Sequence, residues 1–164
     1  MKKLLPVILL SLALAACTGR ATTRFYPVQG PIAAQTPAAV YVGTIAGGMA
    51  GTITLTGYQG EVYKGRWATI EQPKQSTDSP SGAPGDREMV SLWDSIYGNG
   101  FYVAHVLGSK WYAKAVMTGS SGNSLKAEFY REARDNHGDG NALLASIKGV
   151  AMDDKGNVYK VTIS

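Results

Sequence analysis

Few side chains in this sequence are of types that make or break bonds, and their spacing is informative mainly in what it excludes. Two imidazoles occur, His105 in the apolar run from Phe101 to Leu107 and His137 in the loop Asp135-Asn-His-Gly-Asp-Gly-Asn141. Either is the kind of group that serves as a general base when a carboxylate orients it, because imidazole titrates near neutrality. The nucleophile such a base would activate lacks its usual setting. The turn Gly119-Ser-Ser-Gly122 does not have the Gly-x-Ser-x-Gly spacing that lifts a serine off a sheet. No pair of histidines has zinc-ligand spacing. The loop at 135–141 begins like a calcium loop, with Asp135, Asp139 and Gly140 in place, but His137 stands at its third position and Ser146 at its twelfth, where a bidentate carboxylate belongs. The sequence therefore points away from an enzyme and assigns no catalytic residue, no metal and no cofactor.

The single thiol, Cys17, has a more specific setting. Lys2-Lys3 precede an apolar run from Leu4 to Leu14 that is broken only by Pro6 and Ser11, and Leu14-Ala15-Ala16 lead into the cysteine. A charged start, a short apolar stretch and small residues before a cut form a secretory signal, and the run is shorter than the roughly 20 residues that a membrane-spanning helix needs. Leu-Ala-Ala-Cys also resembles the lipobox of bacterial lipoproteins. That resemblance implies cleavage before Cys17, a diacylglycerol on its sulfur and an amide-linked acyl chain such as palmitate on its new amino group. Several acyl chains make a stable membrane anchor, where one myristoyl chain does not. In such lipoproteins an aspartate after the cysteine retains the protein in the inner membrane. Thr18 stands there, so the expected location is the outer membrane, on its periplasmic face.

Composition agrees with a folded exported domain. Of 164 residues, 45% are hydrophobic and 17% charged, which excludes a disordered chain, and one cysteine excludes a disulfide scaffold. Twenty glycines with nine tyrosines favour short strands and tight turns. Removal of residues 1–16 takes Lys2 and Lys3 away and lowers the formal charge from +4 to +2. No basic run remains to neutralise a row of phosphates, so nucleic acid is not an expected partner.

The expected organisation is a signal at 1–16, the lipidated cysteine and a flexible tether at 17–38, and one β-rich domain at 39–164. Pro27, Pro31 and Pro37 interrupt regular hydrogen bonding in the tether, which could extend some 65 Å. Gly43, Gly47 and Gly51 have the spacing of a small-residue helix interface, and a glycine-zipper surface antigen of the membrane is one alternative. The strict alternation Gly51-Thr-Ile-Thr-Leu-Thr56 favours instead two strands joined at Gly47-Gly48.

Three-residue connections ending in glycine, at 58–60, 120–122 and 154–156, suit a type I turn followed by a left-handed residue. Closing each fixes a register. The first sets Leu55, Ile53 and Gly51 against Tyr63, Gly65 and Trp67. The second sets Met117, Ala115 and Ala113 against Leu125, Ala127 and Phe129, with Lys114 facing Glu128 and Lys110 facing Glu132. The third sets Ala151, Gly149 and Ile147 against Tyr159, Val161 and Ile163. In all three, apolar residues fall on one face, and a one-residue slip would mix the faces. Gln59–Gly65 and Lys155–Val161 resemble each other, as the same turn feeding the same kind of strand. After a long Ser/Pro/Gly-rich loop at 73–86, Met89, Leu92, Trp93, Ile96 and Tyr97 mark one face of a helix that starts at Asp86 and stops before Gly98. Its expected role is to cover a face or an end of the sheet. Phe101–Leu107 reads as a further strand.

The segments Tyr26–Pro31, Gly60–Trp67, Gly98–Gly108 and Gly149–Lys160 resemble a group of small proteobacterial lipoproteins that have no assigned activity. The fold expected is mainly β, an antiparallel sandwich or up-and-down barrel of about eight strands with one short helix. The function expected is a non-enzymatic binding or structural module of the envelope, with an envelope protein or cell-wall component as partner. The alternative is a lipocalin-like carrier holding a small apolar ligand among inward residues such as Leu55, Tyr63 and Trp67.

Overall fold

A computed structural model describes residues 19–35, 37–71, 86–132 and 147–164, with only the backbone of Asp86. Eight strands follow one another: β1 (Arg20–Gln29), β2 (Tyr41–Gly47), β3 (Ala50–Thr56), β4 (Val62–Thr69), β5 (Tyr112–Gly119), β6 (Ser124–Arg131), β7 (Ile147–Asp153) and β8 (Val158–Ile163). Each pairs antiparallel with the next, and β1 also pairs with β8, so the sheet closes as an up-and-down barrel and has no free edge. Of the two expected architectures, the barrel is the one formed.

The hairpin registers are those the turns dictate. Leu55 faces Tyr63, Ala115 faces Ala127 and Ala151 faces Tyr159. The glycines that close the turns, Gly60, Gly122 and Gly156, have φ of 79°, 89° and 81°, a region costly for any residue with a Cβ. The inward set forms one core: Phe25, Tyr41, Ile53, Leu55, Tyr63, Met117, Leu125, Phe129 and Tyr159 are essentially inaccessible to water. Outward positions include Arg24, Lys64, Arg66, Lys126 and Lys160. Barrels that face lipid have the reverse arrangement, apolar outside and polar within.

One wall is an exception. On β5–β7 the outward residues Tyr112, Tyr130, Val150 and Met152 are apolar because the helix α1 (Asp86–Tyr97) lies over them, burying Met89 and Trp93 in a second core. Trp93 Nε1 donates to the buried Glu128 at 3.0 Å, and Lys114 pairs with the same carboxylate at 3.3 Å. The helical stripe thus covers a face of the sheet.

Four expectations are corrected. The tether assigned to 17–38 contains a strand. Residues 20–29 are β1, which closes the barrel, and Pro27 is accommodated beside a register shift between Pro27 and Gln29 in the pairing with β8. Phe101–Leu107 is not a strand. It holds a π-helical turn (Tyr102–Val106), flanked by Gly98, Gly100 and Gly108 at positive φ. The glycine-zipper helix is absent: Gly43 and Gly47 lie on β2 and Gly51 on β3, with Gly47 paired opposite Gly51 across the hairpin. Lys110 does not face Glu132 in the ladder, and Glu132 pairs instead with Lys148 at 3.0 Å. Among the described residues no helix is long and apolar enough to cross a membrane.

Candidate functional site at the barrel mouth

In an even-stranded up-and-down barrel the odd-numbered connections all emerge at one end. Here they are the segment after Gly30 and the three glycine-closed turns, and together they frame a pocket of about 610 Å³. Its floor is made by inward aromatic residues at the ends of their strands. The Tyr41 ring lies 5.8 Å from that of Tyr63 and 5.2 Å from that of Tyr159.

Two carboxylates tie these rings to the turns. Glu61 accepts hydrogen bonds from the Tyr63 hydroxyl at 3.1 Å, from Asn123 Nδ2 at 2.9 Å, and from the Ser121 hydroxyl and amide, so it joins two adjacent hairpins. Its carboxyl is held below the ordinary glutamate value, chiefly by the Ser121 hydroxyl and against the opposing effect of burial. Asp153, almost fully buried, accepts from the backbone N–H groups of Lys155 and Asn157 at 3.0 and 2.9 Å. It also accepts from Asn157 Nδ2 at 2.8 Å and the Tyr159 hydroxyl at 3.0 Å. Asn157 Oδ1 in turn accepts from the Ile32 amide at 2.8 Å, pinning the β1–β2 connection to the mouth. Burial first, and the neighbouring Tyr41 next, push the Tyr63 hydroxyl well above the ordinary tyrosine value, and burial does the same to Tyr159. Both remain neutral hydrogen-bond donors at physiological pH.

The likeness between Gln59–Gly65 and Lys155–Val161 has a structural meaning at this end. Each segment puts a polar residue just after the turn glycine, Glu61 or Asn157, and an inward tyrosine two residues later, Tyr63 or Tyr159. The mouth residues Tyr41, Glu61, Asp153 and Asn157 were not singled out from the sequence. This repeated pattern was the signal that could have shown two of them.

Of the residues that the sequence singles out, Tyr63 belongs to this mouth and the others lie elsewhere. His105 is exposed on the π-helical turn and packs on Phe101 with ring centroids 4.6 Å apart. Cys17, His137, Asp135, Asp139, Gly140 and Ser146 lie outside the described residues. Leu55, Tyr63 and Trp67 do line the barrel interior, at 0%, 1% and 6% exposure, packed against other side chains rather than around a void. Comparison with protein-family models, curated proteins and solved structures finds no match to the chain.

Proposed function

We propose that the protein is a lipid-anchored, non-enzymatic binding module of the cell envelope, attached through Cys17 on the periplasmic side of the outer membrane, and that its barrel mouth takes a polyhydroxylated envelope component such as a wall glycan. The observation that supports it best is the mouth, which combines aromatic rings with planar hydrogen-bonding side chains in an open pocket above a filled core. Glu61 and Asp153 hold the pocket's shape, because their oxygens are engaged by the barrel itself. Around them Tyr58, Gln59 and Lys155 stand exposed, offering a ring face, an amide and an ammonium group. Sugar C–H faces pack on aromatic rings, and sugar hydroxyls bond to amides and ammonium groups. The anchor is supported by the charged start, the apolar run and Leu-Ala-Ala-Cys.

A second reading, the carrier, is favoured by the closed eight-stranded barrel. Since the interior is filled by side chains, a carried molecule would also have to sit at the mouth. Titration of the protein with soluble wall fragments, followed by NMR, separates the two. The glycan reading expects shifts at Tyr58, Gln59 and Tyr63 and their loss in Tyr58→Ala. Shifts with a fatty acid and none with wall fragments would replace it by the carrier. For the anchor, Cys17→Ser is expected to abolish acylation and signal removal, and unchanged processing would overturn it.

A further inference from the structure

Because β1 starts at Arg20, the proposed anchor sits much closer to the barrel than a long tether would leave it. Gly19 is already in place, its carbonyl accepting the Gly47 amide at 3.0 Å, and Cys17 is only two residues earlier. At about 3.5 Å per residue, a lead of two residues reaches no more than roughly 7 Å from that rim. The same rim presents Met49, which at 69% is the most exposed of the large hydrophobic side chains described. The Met49 carbonyl accepts the amide and hydroxyl of Thr69 at 2.8 and 3.0 Å, which sets Ile70, 41% exposed, beside it. Ile70 donates to Tyr112 at 2.9 Å, next to the half-buried Trp111, whose ring carries the Arg131 guanidinium at 4.9 Å. Arg20 and Lys110 are exposed on this rim, so that among the described residues there Arg20, Lys110 and Arg131 outnumber Glu71 and Glu132.

Apolar tips beside an indole and basic side chains match the interface of an anionic bilayer, where methionine and isoleucine enter the acyl boundary and arginine and lysine reach the phosphates. We infer that the barrel rests directly on the phospholipid surface through this rim, with Met49 and Ile70 inserted, and that the mouth points away from the membrane. The inference rests on the anchoring of Cys17 proposed above. Strands of about seven residues at the usual barrel tilt hold the mouth some 20 Å further out.

The test uses the full acylated protein in vesicles of phosphatidylethanolamine and phosphatidylglycerol. Spin labels are placed one at a time at Met49→Cys, Ile70→Cys and, at the mouth, Gln59→Cys, and their accessibility to a water-soluble relaxation reagent is measured. The rim labels are expected to be several-fold less accessible than the mouth label. Equal accessibility at all three sites, in a chain whose mass shows acylation, overturns the inference while leaving the anchor intact. A chain that carries no acyl group overturns the anchor and this inference with it. Two labelled rim positions keep the result independent of how either substitution alone is tolerated.

Discussion

Asp153→Ala tests the idea that the mouth is built by its carboxylates. The side chain is almost fully buried and accepts four hydrogen bonds, three of them buried, from the Asn157 amide, Asn157 Nδ2 and the Tyr159 hydroxyl. A hydrogen bond to a charged group contributes about 1.5–3 kcal/mol, and a buried donor left without a partner costs about 1–3 kcal/mol. Some donors will find water through the open pocket, so the expected loss is about 3–5 kcal/mol, a large share of the 5–15 typical of a domain. With a urea dependence of about 2 kcal/mol per molar, the unfolding midpoint should fall by about 2 M at unchanged slope. Asp153→Asn should lose less, about 1–2 kcal/mol: its oxygen still accepts from Lys155 and Asn157, while its new amide opposes Asn157 Nδ2, donor against donor. Urea unfolding of the three proteins reads both differences. A loss below about 1 kcal/mol for Asp153→Ala, the value for an ordinary exposed turn residue, would refute the reasoning.

Glu61 gives a pH dependence of known sign. Its folded-state value is depressed, by the Ser121 hydroxyl above all, so its contribution is present above the ordinary glutamate value and is lost as pH falls through the folded one. Glu61→Gln should therefore flatten the decline of melting temperature between about pH 5 and pH 3, and an unchanged profile would count against the Ser121 contact. Trp93→Phe should cost about 1–3 kcal/mol in chemical denaturation, because Glu128 loses its buried indole donor while the Lys114 pair remains. Gly43→Ala should destabilise by about 1–3 kcal/mol, since its new methyl would meet the Thr54 carbonyl and lie 2.7 Å from Leu55 Cδ2, whereas Gly48→Ala meets nothing and should be neutral in the same melts.

What the sequence made legible was local. Each three-residue turn carries its own glycine, and alternation on both sides of it leaves only one register that separates Leu55, Tyr63 and Trp67 from Thr54, Lys64 and Arg66. The helix was legible for the same reason, since Met89, Trp93 and Ile96 repeat at its period. Closure was not legible, because pairing of β1 with β8 joins residues up to 140 positions apart, such as Thr23 and Ile163, with no turn between them to set the register. The prolines that argued for a tether sit where the ladder tolerates them: Pro27 beside the irregularity and Pro31 beyond the strand. Phe101–Leu107 read as a strand because Val and Tyr suit one, yet flanking glycines and the stacking of Phe101 on Trp93 and Tyr97 turn it into a cap beside α1. The mouth was hidden for a different reason. Glu61 and Asp153 act on partners brought by neighbouring hairpins or by their own tight turn, and their type alone does not separate them from solvated turn carboxylates.

The parity of the barrel links these features. With eight strands running alternately up and down, the first and last must begin and end at the same rim, so Gly19 and Ser164 share one end with the even-numbered connections. The connections at that rim include the two longest, 70–111 and 132–146, and a segment attached to a bilayer through a short lead must also emerge there. The opposite rim carries the three short glycine-closed turns and the segment 30–40, which the Ile32 amide ties to Asn157, and together these set the side chains that shape the pocket. If the protein is anchored as proposed, a circular permutation that moved the N-terminus to the 120–122 turn would put the anchor at the mouth and direct the pocket into the membrane. Such a permutant, with the proposed acylation at its new N-terminus, should fold with the same β-sheet spectrum but lose access of its pocket to a soluble ligand. Retained binding there would mean that the mouth is not the binding surface.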